Sequence, residues 1–223
     1  MNFNLIPPVF LSHHLSEKTP GYGGSSGVKI RHVSRICDGA SSNSQEWLMS
    51  NHIGTHVDLP AHFDNRGQRL ESFSANDWIF RRPFLSKIEV EPGEIISLRT
   101  EFETLPKDVD FLIIKTNFQK FRNDRLYWEN NPGLSPDLGK WFRNYRPNIR
   151  CIGFDFISIT SYSNRPLGRI AHKAFLGIDG ETQPLRVVED MKLDELDVHP
   201  SMILVSPVLV EGADGSPTTI IAL

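Results

Sequence analysis

Asn51–Phe63 reads Asn-His-Ile-Gly-Thr-His-Val-Asp-Leu-Pro-Ala-His-Phe, and the rest of the 223-residue chain is best read outward from it. His52, His56 and His62, with Asp58 between the last two, fall within one short window. Imidazole and carboxylate are the donors that suit zinc, manganese and their first-row neighbours. A His pair four apart arises often by chance on helices. Three His and an Asp, with Gly54 and Thr55 inside and Pro60 following, form a far more demanding pattern and read as a metal site. On a straight strand, residues four apart are separated by roughly 13 Å, too far for two imidazoles to share one ion. On a helical turn the same pair is about 6 Å apart, but a continuing helix would carry Asp58 away from His56. Gly54 permits unusual backbone angles and Pro60 pushes Leu59 toward extended geometry. The window therefore predicts a short turn or kinked segment on which His52, His56 and Asp58 converge.

Composition limits what such a site can serve. The chain is 39% hydrophobic and 23% charged, with a net charge of -3. That balance suits a soluble globular domain. No Lys/Arg block large enough for counterion release is present, so nucleic-acid binding is not expected; Arg143–Arg150 reads as the solvated side of a helix and its exit. Cys37 and Cys151 do not make a disulfide framework, and a reducing, cytoplasmic setting is expected. Met1–Leu11 lacks a basic region and a signal-like apolar run. No stretch approaches the ~20 apolar residues of a membrane span.

Residues 1–27 read as a loop-rich arm in which Leu11–Ser16 is the candidate ordered piece. Gly21–Gly27 reads as a mobile loop, and Tyr22 within it either caps a pocket or packs as a loop aromatic. Val28–Ile36 alternates in strand fashion. Phe84–Val90 and Ile95–Leu98 are short apolar runs, and Phe111–Ile114 has the continuous apolar character of a strand buried on both faces. Phe118, Phe121, Tyr127 and Trp128 are expected mostly to pack. Ser135-Pro136-Asp137 is a helix start: a capping hydroxyl, a proline at the first position, an acid in the first turn. Pro147 ends that helix, and Ile149–Phe156 follows as a second buried strand, giving a βαβ unit with parallel pairing. A further helix begins near Asn164-Arg165-Pro166 and carries His172 at the edge of its apolar stripe. Met202–Val210 and Thr218–Ala222 are strands joined by Glu211–Pro217. The expectation is one α/β domain over 1–223, a mixed β-sheet with flanking helices.

The window His52–Phe63 resembles the signature of the cyclase family, His-x-Gly-Thr-His-x-Asp-x-Pro-x-His, which includes bacterial kynurenine formamidases and isatin hydrolases. Every fixed position of that signature is met. Leu11-Ser12 with Leu15, Gly153-Phe154-Asp155 with Ser158, His172 on its helix, and Gly212–Pro217 also resemble the family. The resemblance implies a mixed α/β, swivelling β/β/α-like hydrolase fold, usually oligomeric (a homodimer or homotetramer), with one or two divalent ions, zinc or manganese. It places His52, His56 and Asp58 on the first ion, with Asp58 bridging to a second held by His172 and a later glutamate. Glu189 fits that context best and Glu181 is the competitor. His62 matches the family's catalytic histidine. The family's formamidases carry a tryptophan in the N-terminal loop where this chain has Tyr22.

The chemistry so implied is hydrolysis of a carbon–nitrogen bond in a small amide such as an aryl formamide, by metal-activated water with His62 as acid and base. Opening of an isatin-like lactam or of a lactone would use the same apparatus. A non-catalytic metal- or small-molecule-binding relative is the reading from a different class. For His62 a fourth-ligand or hydrogen-bonding role stands as the alternative, and His172 alone would read as a satisfied core-edge histidine. Asp155 and Ser158 read as structural and Asp214-Gly215 as a hairpin turn that can close over the site. His13, His14, His32 and His199 are given no functional role.

Overall fold

The computed structural model describes residues 7–25, 27–178, 180 and 182–223. The early strands are β1 (Val9–Phe10), β2 (Val28–Ser34), β3 (Ser44–Met49), β4 (His56–Asp58), β5 (Ile79–Phe80), β6 (Pro83–Lys87) and β7 (Ile95–Ile96). After them come β8 (Phe111–Lys115), β9 (Gly133–Leu134), β10 (Cys151–Phe154), β11 (Arg186–Glu189), β12 (Ile203–Pro207) and β13 (Gly215–Ala222). The helices are α1 (Thr100–Glu103), α2 (Arg125–Glu129), α3 (Pro136–Tyr145) and α4 (Arg165–Phe175).

The main sheet runs β5-β12-β13-β4-β11-β10-β8-β6, with β1 also paired to β13. β6, β8, β10 and β11 are mutually parallel, whereas β4, β13, β12 and β5 follow antiparallel. The expected βαβ unit is β8–α3–β10, in register from Phe111↔Cys151. Its helix starts where the sequence places it: Ser135 Oγ accepts a hydrogen bond from the Leu138 N–H at 3.2 Å, with Pro136 in the first turn. Asn164 caps α4 in the same way through the Leu167 N–H.

Two cores flank the sheet. In β8, Leu112 and Ile114 face one side, where they meet Phe142 of α3 and Ala171 and Phe175 of α4. Phe111 and Ile113 face the other, where the sheet curls so that Val57, Phe80, Val188 and Ile220 close over them. This double burial is why β8 reads as a continuous apolar run. Leu11, fully buried in the second core, and Ser12 stitch the curl nearly shut: the Ser12 hydroxyl donates to the Thr218 carbonyl and accepts from the Ile220 N–H.

Some local expectations are corrected. The metal window is not helical at its start; bends lead into a true strand, β4, because its backbone groups are taken up by β11 and β13 on either side. β11 itself, four residues long, is too short for a periodic signal. The glycine run expected to be a mobile loop forms a short turn at Tyr22–Gly24 that packs on Tyr162 and Trp128; Ser26 lies outside the described residues. β2 and β3 form a hairpin separate from the main sheet, with Trp47 and Leu48 exposed. Among the described residues, no helix is long and apolar enough to cross a membrane.

Candidate metal centre

Strand pairing positions the first donors. His56 and Asp58 are two apart on β4 and so project from one face, and Glu189 of β11 pairs directly with His56. Val187, two residues before Glu189, belongs to the helix-side core, while Val57 and Val188 belong to the opposite one. His56, Asp58 and Glu189 therefore face α4, which brings His172 to them. The cluster lies at the carboxyl end of β11, where that strand is parallel to β10 but antiparallel to β4.

His52 arrives from the bend before β4, where Gly54 holds φ at 60°. Its ring lies over Gly215 of β13, the residue paired with Asp58. A Cβ at 215 would sit 2.4 Å from His52 Cε1, so only glycine leaves the ring its seat.

The donors interlock. Asp58 Oδ1 is 2.7 Å from His52 Nδ1 and 3.3 Å from His56 Nε2, and its Oδ2 is 3.6 Å from His172 Nε2. Glu189 Oε2 is 3.5 Å from His56 Nε2, and Oε1 is 3.5 Å from His172 Nε2. Among the described residues three overlapping groups could each hold an ion: His52/His56/Asp58 and Asp58/His172/Glu189, which share Asp58, and at the rim His52/His62/Asp214, which keeps a ligand role for His62 as the alternative.

The chemistry of this donor set fits a metal. His56 Nδ1 lies 2.8 Å from the Gly54 carbonyl and His172 Nδ1 lies 3.0 Å from the Gly168 carbonyl. A carbonyl only accepts, so both Nδ1 atoms carry the proton and both Nε2 lone pairs face carboxylates. Lone pair against carboxylate is repulsive in a buried site unless a proton or a cation intervenes. Burial alone lowers the pKa of His56, but Asp58 and Glu189 outweigh it and push it up to about 9. Burial likewise opposes the charge on His172, and Asp58 and Glu189 raise it to about 10. Asp58 is held well below the usual carboxylate range, since its three histidine partners overcome its burial. The pocket thus demands positive charge, and a divalent ion meets that demand through the same atoms. Ser158 Oγ and the Ile159 N–H donate to Glu189 Oε1, and Thr160 Oγ1 lies 3.1 Å from His172 Nδ1, fixing both side chains.

His62 stands at the rim, half-buried, its ring 3.9 Å centre to centre from His52. Its Nδ1 lies 3.0 Å from Asp214 Oδ2, and the same oxygen is 3.1 Å from His52 Nε2. Asn51 Nδ2 donates to Asp214 Oδ1 at 2.7 Å. The Asp214-Gly215 turn, expected as one that can close over the site, reaches it through Asp214, whose carboxylate serves two histidines from across the fold. The signal was its place in Gly212–Pro217, which resembles the family, but nothing in the spacing says that this turn reaches His62.

The Cyclase family model, described as "Putative cyclase", matches residues 9–161. This chain belongs to the Cyclase family. It is 27% identical over 223 residues to "Cyclase-like protein 2" of Oryza sativa subsp. japonica, covering 96% of this chain and 78% of that protein. It is 26% identical over 219 residues to "Kynurenine formamidase" of Geobacillus thermodenitrificans (strain NG80-2), covering 95% and 94%. Among solved structures, isatin hydrolase A from Ralstonia solanacearum shares the fold with a TM-score of 0.74 at 18% identity, over 97% of this chain and 91% of that one.

Within this family member, all six residues singled out from the sequence, His52, His56, Asp58, His62, His172 and Glu189, line one cavity of about 260 Å³. Glu181, the competitor for the late position, lies outside the described residues. Tyr22 also lines the cavity, so it caps a pocket rather than merely filling a loop. Ser158 touches Glu189, whereas Asp155 is tied instead to Thr116. A larger hollow of about 560 Å³ lies beside the β2–β3 hairpin, with a mostly apolar lining and none of the candidate ligands in it.

Proposed function

We propose that this chain is a metal-dependent hydrolase that cleaves a carbon–nitrogen bond in a small amide, with aryl formamides as the favoured class. One observation carries the reading. A buried histidine–carboxylate cluster shares its cavity with His62, a partly exposed imidazole held by Asp214. A metal site that only stabilised the fold would need no such base beside it. The relatives named kynurenine formamidase add support for the bond class.

In this reading His52, His56 and Asp58 hold one ion, zinc or manganese, and Asp58, His172 and Glu189 hold a second. A divalent ion there supplies Lewis acidity, which acidifies water and polarises a carbonyl oxygen. His62 takes the proton released as water attacks the carbonyl carbon and delivers it to the leaving nitrogen. Asp214 keeps the proton on His62 Nδ1, so Nε2 is the accepting atom, and it stabilises the imidazolium between the two transfers. Its bond to His52 Nε2 orients that ligand in the same stroke.

The test is metal analysis of the purified protein together with turnover of N-formylkynurenine, isatin and simple lactones. Formamide hydrolysis is expected, falling roughly 10²–10⁴-fold in His62→Ala while bound metal is retained. Full activity in His62→Ala would sink the mechanism. Turnover of isatin or lactones alone would move the substrate class and keep the site. We extend the proposal to assembly as a homodimer or homotetramer: Trp47 and Leu48, 66% and 69% exposed on β3, leave a large apolar side chain uncovered on each face of the hairpin. Light scattering coupled to size exclusion reads this directly.

A further inference from the structure

Helix α4 brings more than His172 to the cavity wall: on the same stripe, seven and three residues earlier, it carries Arg165 and Arg169. Both line the cavity that holds the metal cluster. Neither has a carboxylate partner among the described residues; Arg165 lies over the Tyr162 ring at 5.6 Å. Both are exposed at the cavity's edge, and Arg165 opens the first turn of α4, which has no acid to offset it.

A third group completes the arrangement. Tyr22 lines the same cavity and packs edge-on against Tyr162, with ring centroids 5.4 Å apart. Its hydroxyl is buried and has no hydrogen-bond partner. Burial, with smaller effects from nearby charges, pushes its pKa up to about 12, so it is a hydroxyl donor at neutral pH. A buried donor left without an acceptor is rare in folded chains. Charge points the same way. A divalent ion offsets Asp58 and Glu189, and the two arginines then leave the cavity positive.

We infer that Arg165, Arg169 and the Tyr22 hydroxyl form an anion-binding subsite beside the metal cluster, and that the substrate is a small amide bearing a carboxylate. Guanidinium groups and a phenolic O–H are donors matched to that group. The cavity, about 260 Å³, suits a single-ring acid rather than a larger ligand. The inference rests on the hydrolase reading for the bond cleaved, but not for the binding.

The experiment compares 3-formamidobenzoate with formanilide, which present the same bond with and without the carboxylate. The native protein should favour the acid by about tenfold or more in kcat/KM, and the preference should collapse in the double variant Arg165→Gln/Arg169→Gln. Tyr22→Phe should erode it part-way, and Arg165→Lys/Arg169→Lys should restore part of what glutamine loses. Titration of benzoate into zinc-loaded and chelator-treated protein supplies a readout apart from turnover; affinity should fall about tenfold in the glutamine variant and weaken with salt. Charge-blind kinetics in the native protein, or benzoate binding indifferent to both arginines, would overturn the subsite. Arginine-dependent benzoate binding with no amide hydrolysed would remove the reaction reading and leave the subsite standing.

Discussion

Gly215→Ala tests whether the geometry of the cluster is read correctly, because the methyl group it adds presses on His52 without removing any proposed donor. The new Cβ would lie 2.4 Å from His52 Cε1, 3.0 Å from His52 Nδ1 and 2.8 Å from the Val57 carbonyl oxygen. The carbonyl belongs to β4 and cannot rotate away, so the imidazole must retreat by about 1 Å or more to reach ordinary contact distance. That movement breaks the 2.7 Å contact with Asp58 and the 3.1 Å contact with Asp214. Two effects should separate in the data. Overpacking should destabilise the metal-free protein by about 1–3 kcal/mol. Misplacing a ligand and its outer partner should weaken metal binding about 10–100-fold, or about 1.4–2.8 kcal/mol. At fixed zinc, that loss comes off the metal-induced stabilisation, lowering the zinc-dependent rise in Tm by about 3–11 °C. The assay is thermal denaturation with and without zinc for the native protein, Gly215→Ala, His52→Ala and the double variant. If the alanine acts through His52, the double variant should respond to zinc no differently from His52→Ala alone. A native zinc response in Gly215→Ala, or additive losses in the double variant, would refute the assignment of His52 to the metal cluster.

Other perturbations reach different parts of the same frame. Burial holds the Asp155 carboxyl at about 6 despite the Thr116 N–H and hydroxyl that donate to Oδ1, so the folded state keeps a proton that the unfolded chain releases near 3.8. Stability from this group is therefore lost as pH rises from about 4 to 6; the difference amounts to about 3 kcal/mol, and Asp155→Asn should gain that much on the native protein between pH 4 and pH 8 in urea melts. A parallel pair of pH profiles would refute it. Arg122 forms a bidentate pair with buried Asp190, which also accepts from Tyr127. Arg122→Met strands that carboxylate and should cost about 3–5 kcal/mol, read by denaturant midpoint. His172→Ala should lower bound metal from two ions to one if the site is dinuclear; unchanged metal content would confine binding to His52, His56 and Asp58. Asp214→Asn should depress kcat about tenfold or more with metal content held, and a loss confined to KM would remove its role in orienting His62.

Much of this architecture is legible in the sequence where a physical rule acts locally. Ser135 and Pro136 start α3 because capping is decided within one turn, and Phe111–Ile114 reads as doubly buried because both faces demand apolar residues. The window 52–62 declares its chemistry through residue type alone. Its backbone does not follow from the same letters. β4 is a strand only because β11 and β13 pair with it, and both pairings span more than a hundred residues. Asp214 is legible as a turn that can close over the site, but its partners are not: its placement against His52 and His62 is set by where β13 lies relative to β4. Arg165 and Arg169 carry no signal of their own in the sequence; that they line the cavity follows only from where α4 lies.

That division has a consequence for how the site forms. Its donors come from the bend at His52 and β4, and from α4 and β11, two consecutive pairs of segments separated by more than a hundred residues. Brought together without an ion, His56 and His172 must each hold an extra proton, since their Nδ1 protons are committed to the Gly54 and Gly168 carbonyls. A metal held by these residues would replace those protons and tie the segments together. In the unfolded chain the donors of the 52–62 window stay close in sequence, but they lack Glu189 and His172 to complete the set. Differential affinity of that kind converts directly into folding free energy. In the proposed hydrolase the cluster would fasten the β4–β11 junction as well as serve the reaction, and metal removal should loosen the fold where the parallel and antiparallel parts of the sheet meet.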